Sequence, residues 1–325
     1  MSVQRVFKYV AEARPVFKAL NSVFLIYKPA HLRFNRMRDT IIQNLCRDLN
    51  DMKTRPPLKY VVIEGQTDIN LKVHVRDSFA DHPLVVGPRY QPNDFRLAAT
   101  KNMHEDVSGI IVCGLNKGNR IVHMLKESKC VRFYRVAGLL GQATDNYFHT
   151  GKIVEKSKYT HVKRGHIDKI CTSMQSSHQR KMFDLCGVDI QSQAAYELAL
   201  QGPLRPTDRS IPLLYTIKCV DFSPPHFALE IVCTQEYDMY LKTIVHDLGM
   251  ALRTNATCVQ IQCIQDGLFN KKHALLTKHW TLEHIMDNMQ MCRAIIDQNP
   301  KVLRQENPAL VEYDGDTKVR PTIYE

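Results

Sequence analysis

Tyr134-Arg135-Val136-Ala137-Gly138-Leu139-Leu140-Gly141-Gln142-Ala143-Thr144-Asp145, followed by Asn146 to Lys156, is the stretch whose reading decides the fold. Tyr134, Val136 and Gly138 alternate with Arg135, Ala137 and Leu139, the period of one strand in a half-buried sheet. Leu140 to Asp145 is a cluster of turn formers, and the chain becomes extended again around Ile153 and Val154, beyond Gly151. On local physics this predicts a hairpin.

Outward from this stretch, the periodicity predicts a helix from about Arg36 to Leu49, a strand over Lys59 to Glu64 and a helix near Ile167 to Met174. Thr54-Arg55-Pro56-Pro57 reads as a loop, and Asp77 to Pro92, rich in Pro and Gly, as a long surface loop. No internal repeat is visible. At 325 residues the chain can bury a sizeable core, in one large domain or two intimate lobes.

The balance of 44 Lys and Arg against 33 Asp and Glu gives a net charge of +11. A basic chain favours a polyanionic partner, most simply RNA, because phosphate neutralisation releases counterions. Many mitochondrial matrix proteins are equally basic without binding nucleic acid, so charge alone leaves both readings open. The ten cysteines include no CxxC pair, and Cys258 and Cys263 have no His-rich cluster beside them. Reduced core thiols are therefore expected rather than a metal site. No apolar run approaches the ~20 residues of a membrane span.

Residues 1–20 contain Arg5, Lys8, Arg14 and Lys18 against a single acid, Glu12, with Val3, Val6, Phe7 and Val10 on one helical face. Basic, acid-poor and amphipathic composition predicts a mitochondrial targeting segment, and Pro15 is expected to leave little helix for a folded role. The alternative is a basic surface helix.

The wording of the opening stretch resembles the TruB family of pseudouridine synthases, with its Y-x-V strand, then L-G-x-x-T-D-T, then G-x-I-V-E. The resemblance runs from about Val23 to Ile285. Val23 to Pro29 looks like the family's opening strand ending in Lys-Pro, and Ala195 to Gly202 like its Y-E-x-A-x-x-G helix. Ile244 to Gly249 resembles (I/V)-x-D-L-G, Cys258 to Phe269 lies where the family has L-R-R-T-x-x-G-x-F, and Trp280 to Ile285 matches T-L-E-x-L. The resemblance implies an α/β fold of α+β type, a mixed, largely antiparallel sheet flanked by helices with an RNA groove across it. It implies a synthase domain over 21–290 and a helix and tail over 291–325. The tail is too short for the RNA-binding PUA domain of bacterial members, as in the branch acting on mitochondrial messenger RNA.

What the family does is also implied. Uridine is isomerised by cleaving the glycosidic bond, turning the uracil and rejoining it through C5, with one aspartate as nucleophile and no cofactor or metal. The base is flipped out of its stack and held by an aromatic ring, a slot that Tyr134 occupies. A basic residue beside the aspartate keeps it ionised. By the same resemblance Lys28, Pro29 and Ile261 support the pocket. The basic residues Lys152, Lys156, Lys158, Lys163 and Arg164, interleaved with Tyr159, His161 and His166, are RNA-contact candidates. A solvated charged face is the plain alternative.

The catalytic pair departs from the family. Counting back from Gly109 puts His104 in the aspartate slot, Ala98-Ala99-Thr100 stands where the family has Gly-His, and Lys242 holds the arginine slot. Asp106 is the substitute candidate, yet two positions along an extended chain displace a side chain by about 6.6 Å. Attack needs reacting atoms within about 3–3.5 Å. Lysine also lacks the planar fork that seats a carboxylate. Two readings follow: a mitochondrial synthase acting on messenger or ribosomal RNA through Asp106, or a realigned acid, with Tyr134 and Lys242, or a catalytically inactive RNA-binding or assembly factor. A protein-only scaffold is disfavoured by the basic balance and by the preserved pocket tyrosine, Tyr134.

Overall fold

The computed structural model describes residues 12–54, 59–65, 70–78, 83–206, 211–304 and 311–313. Most of the expected targeting segment and most of the tail lie outside these residues.

From the N-terminal side the elements are α1 (Ala13–Ala19), β1 (Val23–Lys28), α2 (Phe34–Asn50), β2 (Lys59–Glu64), β3 (Lys72–Asp77), β4 (Leu97–Ala99), β5 (Val107–Leu115) and α3 (Asn119–Glu127). There follow β6 (Arg132–Leu140), β7 (Gln142–Thr144), β8 (Ile153–Lys156), α4 (Arg164–Leu185), α5 (Gln193–Gln201), β9 (Leu204–Pro206), β10 (Leu213–Ser223) and β11 (His226–Thr234). The last are α6 (Asp238–Ala251), β12 (Ala256–Asp266), β13 (Phe269–Asn270), α7 (Leu282–Asp297) and β14 (Val311–Tyr313).

The main sheet runs β1-β5-β12-β6-β11-β10, with β4 added beside β5 and β13 beside β12. Its ladders are antiparallel except the parallel contact of β12 with β5, where Ile261 faces Val107. The sheet is thus mixed and largely antiparallel, as expected. Burial follows position: every residue of β5, in the sheet interior, is buried, whereas β6 alternates because one face is only partly covered. Helix α2 buries Met37, Ile41, Ile42, Leu45, Cys46 and Leu49, an apolar stripe at helical spacing that packs into the main core. A second, smaller core gathers the end of α4, α5 and the start of β10.

Three expectations are corrected. The strand from Tyr134 does not form a hairpin with Ile153, because β6 is bonded on one edge to β11 and on the other to β12. With both edges occupied, the chain leaves the sheet at Gly141 (φ 95) and the short β7 pairs with β8 instead. Pro15 does not preclude a folded role for its surroundings: it lies in the first turn of α1, where proline is tolerated, and Ala13, Val16 and Leu20 are core residues. The 290 boundary falls inside α7, whose Cys292 and Ile296 belong to the same core. All ten cysteines are unpaired, nine of them buried. Among the described residues no helix is long and apolar enough to cross a membrane.

Candidate active site

A cleft of about 770 Å³ opens where the segment before β5 meets the start of α6. Its walls include Phe34, His104, Asp106, Asn146, Tyr237 and Lys242. The volume is within the range of small-ligand pockets.

The floor is a turn. The Val107 amide donates to the His104 carbonyl at 3.2 Å, so 104–107 folds back rather than running extended. This overturns the premise that Asp106 stands about 6.6 Å out of place, a displacement that holds only for a straight strand. Lys28, at the end of β1, secures the turn: its buried ammonium donates to the carbonyls of His104 (2.9 Å), Glu105 (3.2 Å) and Val107 (2.6 Å), and reaches that of Pro29 at 3.3 Å. Burial pushes Lys28 down to about 8, against the opposing pull of Asp238, Asp106 and Glu105. The His31 amide also donates to the Glu105 carbonyl at 2.7 Å.

The turn delivers Asp106 to Lys242. Lys242 Nζ lies 3.0 Å from Asp106 Oδ2, their side chains only 7% and 13% exposed. The same ammonium sits 4.6 Å from the centre of the Phe148 ring. His104 Nδ1 approaches Asp106 Oδ2 at 3.1 Å while its side chain remains 58% exposed. Burial alone would raise the Asp106 carboxyl; the Lys242 hydrogen bond and charge, helped by His104, outweigh it and hold the group below its usual range. The cleft therefore presents an ionised carboxylate backed by a fixed cation. On the rim, Arg33 pairs with Glu105 at 2.8 Å.

Tyr134 is elsewhere. It is fully buried, and its hydroxyl donates to Glu236 Oε1 at 2.5 Å. Lys101 lies over its ring, 4.5 Å from the centroid, and hydrogen-bonds the same hydroxyl. Glu236 also receives Lys101 at 3.2 Å and Arg132 at 3.1 Å, and Arg132 reaches Asp266 at 2.8 Å, which accepts from Thr100 Oγ1 at 3.1 Å. Desolvation raises the Tyr134 phenol well above its ordinary value, so it remains a neutral donor. Glu236 is held below its own: burial works against ionisation, and Arg132 and Lys101 overcome it. In this structure Tyr134 joins a closed polar network and does not line the cleft.

Ile261 is likewise a core residue of β12, its carbonyl accepting from Ser108 Oγ at 3.2 Å. Lys152, Lys156, Lys158, Lys163 and Arg164 are all exposed, running from the β7–β8 turn to the first residue of α4. Sequence reasoning did not single out Lys101, Glu236, Tyr237 or Asp238. The available signal was Asp238, the acid in the first turn of α6, which follows Glu236 closely and accepts the His104 amide at 2.6 Å. Among the described residues no group of three or more His, Cys, Asp or Glu side chains is placed to hold a metal ion.

Comparison of the sequence with known proteins gives the family. The family profile described as TruB family pseudouridylate synthase (N terminal domain) matches residues 101–239, from the residue over Tyr134 into the start of α6. The chain belongs to the TruB family of pseudouridylate synthases. It is 35% identical to the mitochondrial pseudouridylate synthase TRUB2 of Xenopus tropicalis over 286 residues, covering 86% of this chain and 87% of that protein. It is 34% identical to the Homo sapiens TRUB2 protein, covering 82% of each. A distant structural likeness, TM-score 0.44 at 13% identity, links it to a chain of a Cbf5–Nop10–Gar1 complex, covering 90% of this chain and 61% of that one.

Proposed function

We propose that this chain is a TRUB2-like RNA pseudouridine synthase of mitochondria, with Asp106 as its nucleophile and Lys242 as the cation that keeps it ionised. The observation that carries this reading is the 3.0 Å Asp106–Lys242 pair in the wall of the cleft. A carboxylate in a poorly hydrated site attacks only while charged, and Lys242 supplies what burial removes. The isomerisation exchanges the N1 glycosidic bond for a bond from the same ribose carbon to C5, with the ring hydrogen at C5 moving to nitrogen, so no redox partner is consumed. The net charge of +11 and the exposed Lys152, Lys156, Lys158, Lys163 and Arg164 suit an RNA backbone entering the cleft. The named TRUB2 relatives and the basic residues among the first twenty favour a mitochondrial address. Because α1 is core, the targeting segment is assigned to residues before Ala13.

A second reading has its own support. His104 holds the place counted for the family's aspartate, and Tyr134 is closed off. These favour an RNA-binding or assembly factor without isomerase chemistry.

The test incubates the purified full chain with mitochondrial transcripts, measures pseudouridine by mass spectrometry and RNA affinity by anisotropy. The first reading expects pseudouridine from the wild type, its loss in Asp106→Asn, and RNA affinity nearly unchanged in that variant. RNA binding with no product selects the second reading. A salt-insensitive response or no RNA binding overturns both, because single-strand affinity should fall with log salt at about −0.7 per phosphate contacted.

A further inference from the structure

An extruded base needs an aromatic face, and Tyr134 offers none: the residue is fully buried, Lys101 covers its ring and Glu236 takes its hydroxyl. The next candidate is only one residue from that network. At Gln235 the backbone takes φ 59; Glu236 then enters the core, and Tyr237 emerges 57% exposed into the cleft wall that also contains Asp106 and Lys242. Tyr237 caps α6 in an extended conformation (φ −125, ψ 159), so its ring is carried by the end of a helix. Asp238, beside it, accepts the His104 amide at 2.6 Å and thereby ties this end of α6 to the turn that bears Asp106. The Tyr237 ring meets Tyr240 at 5.9 Å with a 47° tilt, a contact that braces it from one side.

We propose that Tyr237, in place of Tyr134, is the platform on which the extruded base stacks, a reading that rests on the cleft receiving a uridine of RNA. Every base has a π face, so the ring fixes where the base lies and leaves its identity to other contacts. The network around Tyr134 then has a positioning role: it holds Glu236 inward and Tyr237 outward on the same short segment.

The experiment compares wild type, Tyr237→Ala and Tyr237→Trp on a short uridine-rich single-stranded RNA and on the same strand with one abasic position at its centre. Tyr237 is exposed, so both variants should keep the native fold, which circular dichroism verifies. Y237A should bind the intact strand roughly ten-fold or more weakly than wild type, and Y237W should retain binding. The single native tryptophan, Trp280, is buried at 2% exposure, so the new indole reports the cleft; its fluorescence should be quenched by the intact strand and much less by the abasic one. Equal affinities of wild type and Y237A, or equal quenching by the two strands, overturn the assignment while leaving the RNA reading intact. A wild type that binds neither strand overturns the RNA reading and this inference with it.

Discussion

Replacing Lys242 with methionine removes the cation from beside Asp106 while keeping the length of the chain. Two unit charges 3.0 Å apart attract by roughly 5 kcal/mol at an effective dielectric constant of about 20. Part of that is offset by the desolvation of both groups, which are 7% and 13% exposed. The net loss for K242M should be about 3 kcal/mol near neutral pH, the usual scale for stranding a buried charge. Loss of the Lys242–Phe148 contact adds to it, so the pair itself is isolated by a double-mutant cycle with Asp106→Asn, with an expected coupling of about 2 kcal/mol or more.

The pH dependence supplies the sharper test. In the wild type Asp106 lies below its ordinary value, so on acidification the unfolded chain takes up this proton first. Its contribution is complete above about pH 4 and is lost as the pH falls through the folded value. In K242M the burial remains without its cation, the folded value rises above the unfolded one, and the order reverses: this group then lowers stability as pH increases from about 4 upward. Urea denaturation in a His104→Gln background, which leaves Lys242 as the cation in contact with Asp106, should show the gap between the variants widest near neutrality and closing in acid. A gap that does not change with pH would refute the reasoning.

The Lys28 ammonium should titrate near 8, where a free lysine would titrate at about 10.4, and an NMR titration of its side-chain nitrogen checks this. The folded protein sheds that proton while the unfolded chain keeps it, so this group's contribution to stability should increase with pH between those two values. Gly109→Ala should destabilise by at least about 2 kcal/mol, measured by denaturation. Gly109 has φ +130, and an added Cβ would meet the backbone of Cys263 across the β5–β12 ladder closer than real Cβ atoms approach.

Much of the fold was legible because its cause is local. Lys59–Glu64 forms the strand its composition suggests, α2 extends the stripe expected from Arg36 to Leu49, and β6 alternates as its residues do. The hairpin from Tyr134 was misread because edge occupancy is not local: β11 and β12, supplied from far along the chain, claim both sides of β6. The site divides in the same way. Asp106 and Lys242 were identified as candidates, but whether they meet depends on the 104–107 turn, and Lys28 holds that turn from 76 residues or more away. The Lys101–Glu236 contact spans 135 residues, and no spacing rule in the primary structure joins them.

The turn at 104–107 also determines what a second acid beside Asp106 would do. Lys242 holds the Asp106 carboxylate at 3.0 Å and His104 touches the same oxygen at 3.1 Å, so the exchange His104→Asp would replace a group that favours the Asp106 charge by a like charge two residues away. A like charge favours the neutral form of its neighbour, so the Asp106 carboxyl would be held less far below its ordinary range than it is beside His104. An acid added at that corner would therefore weaken the charge of the acid already standing there.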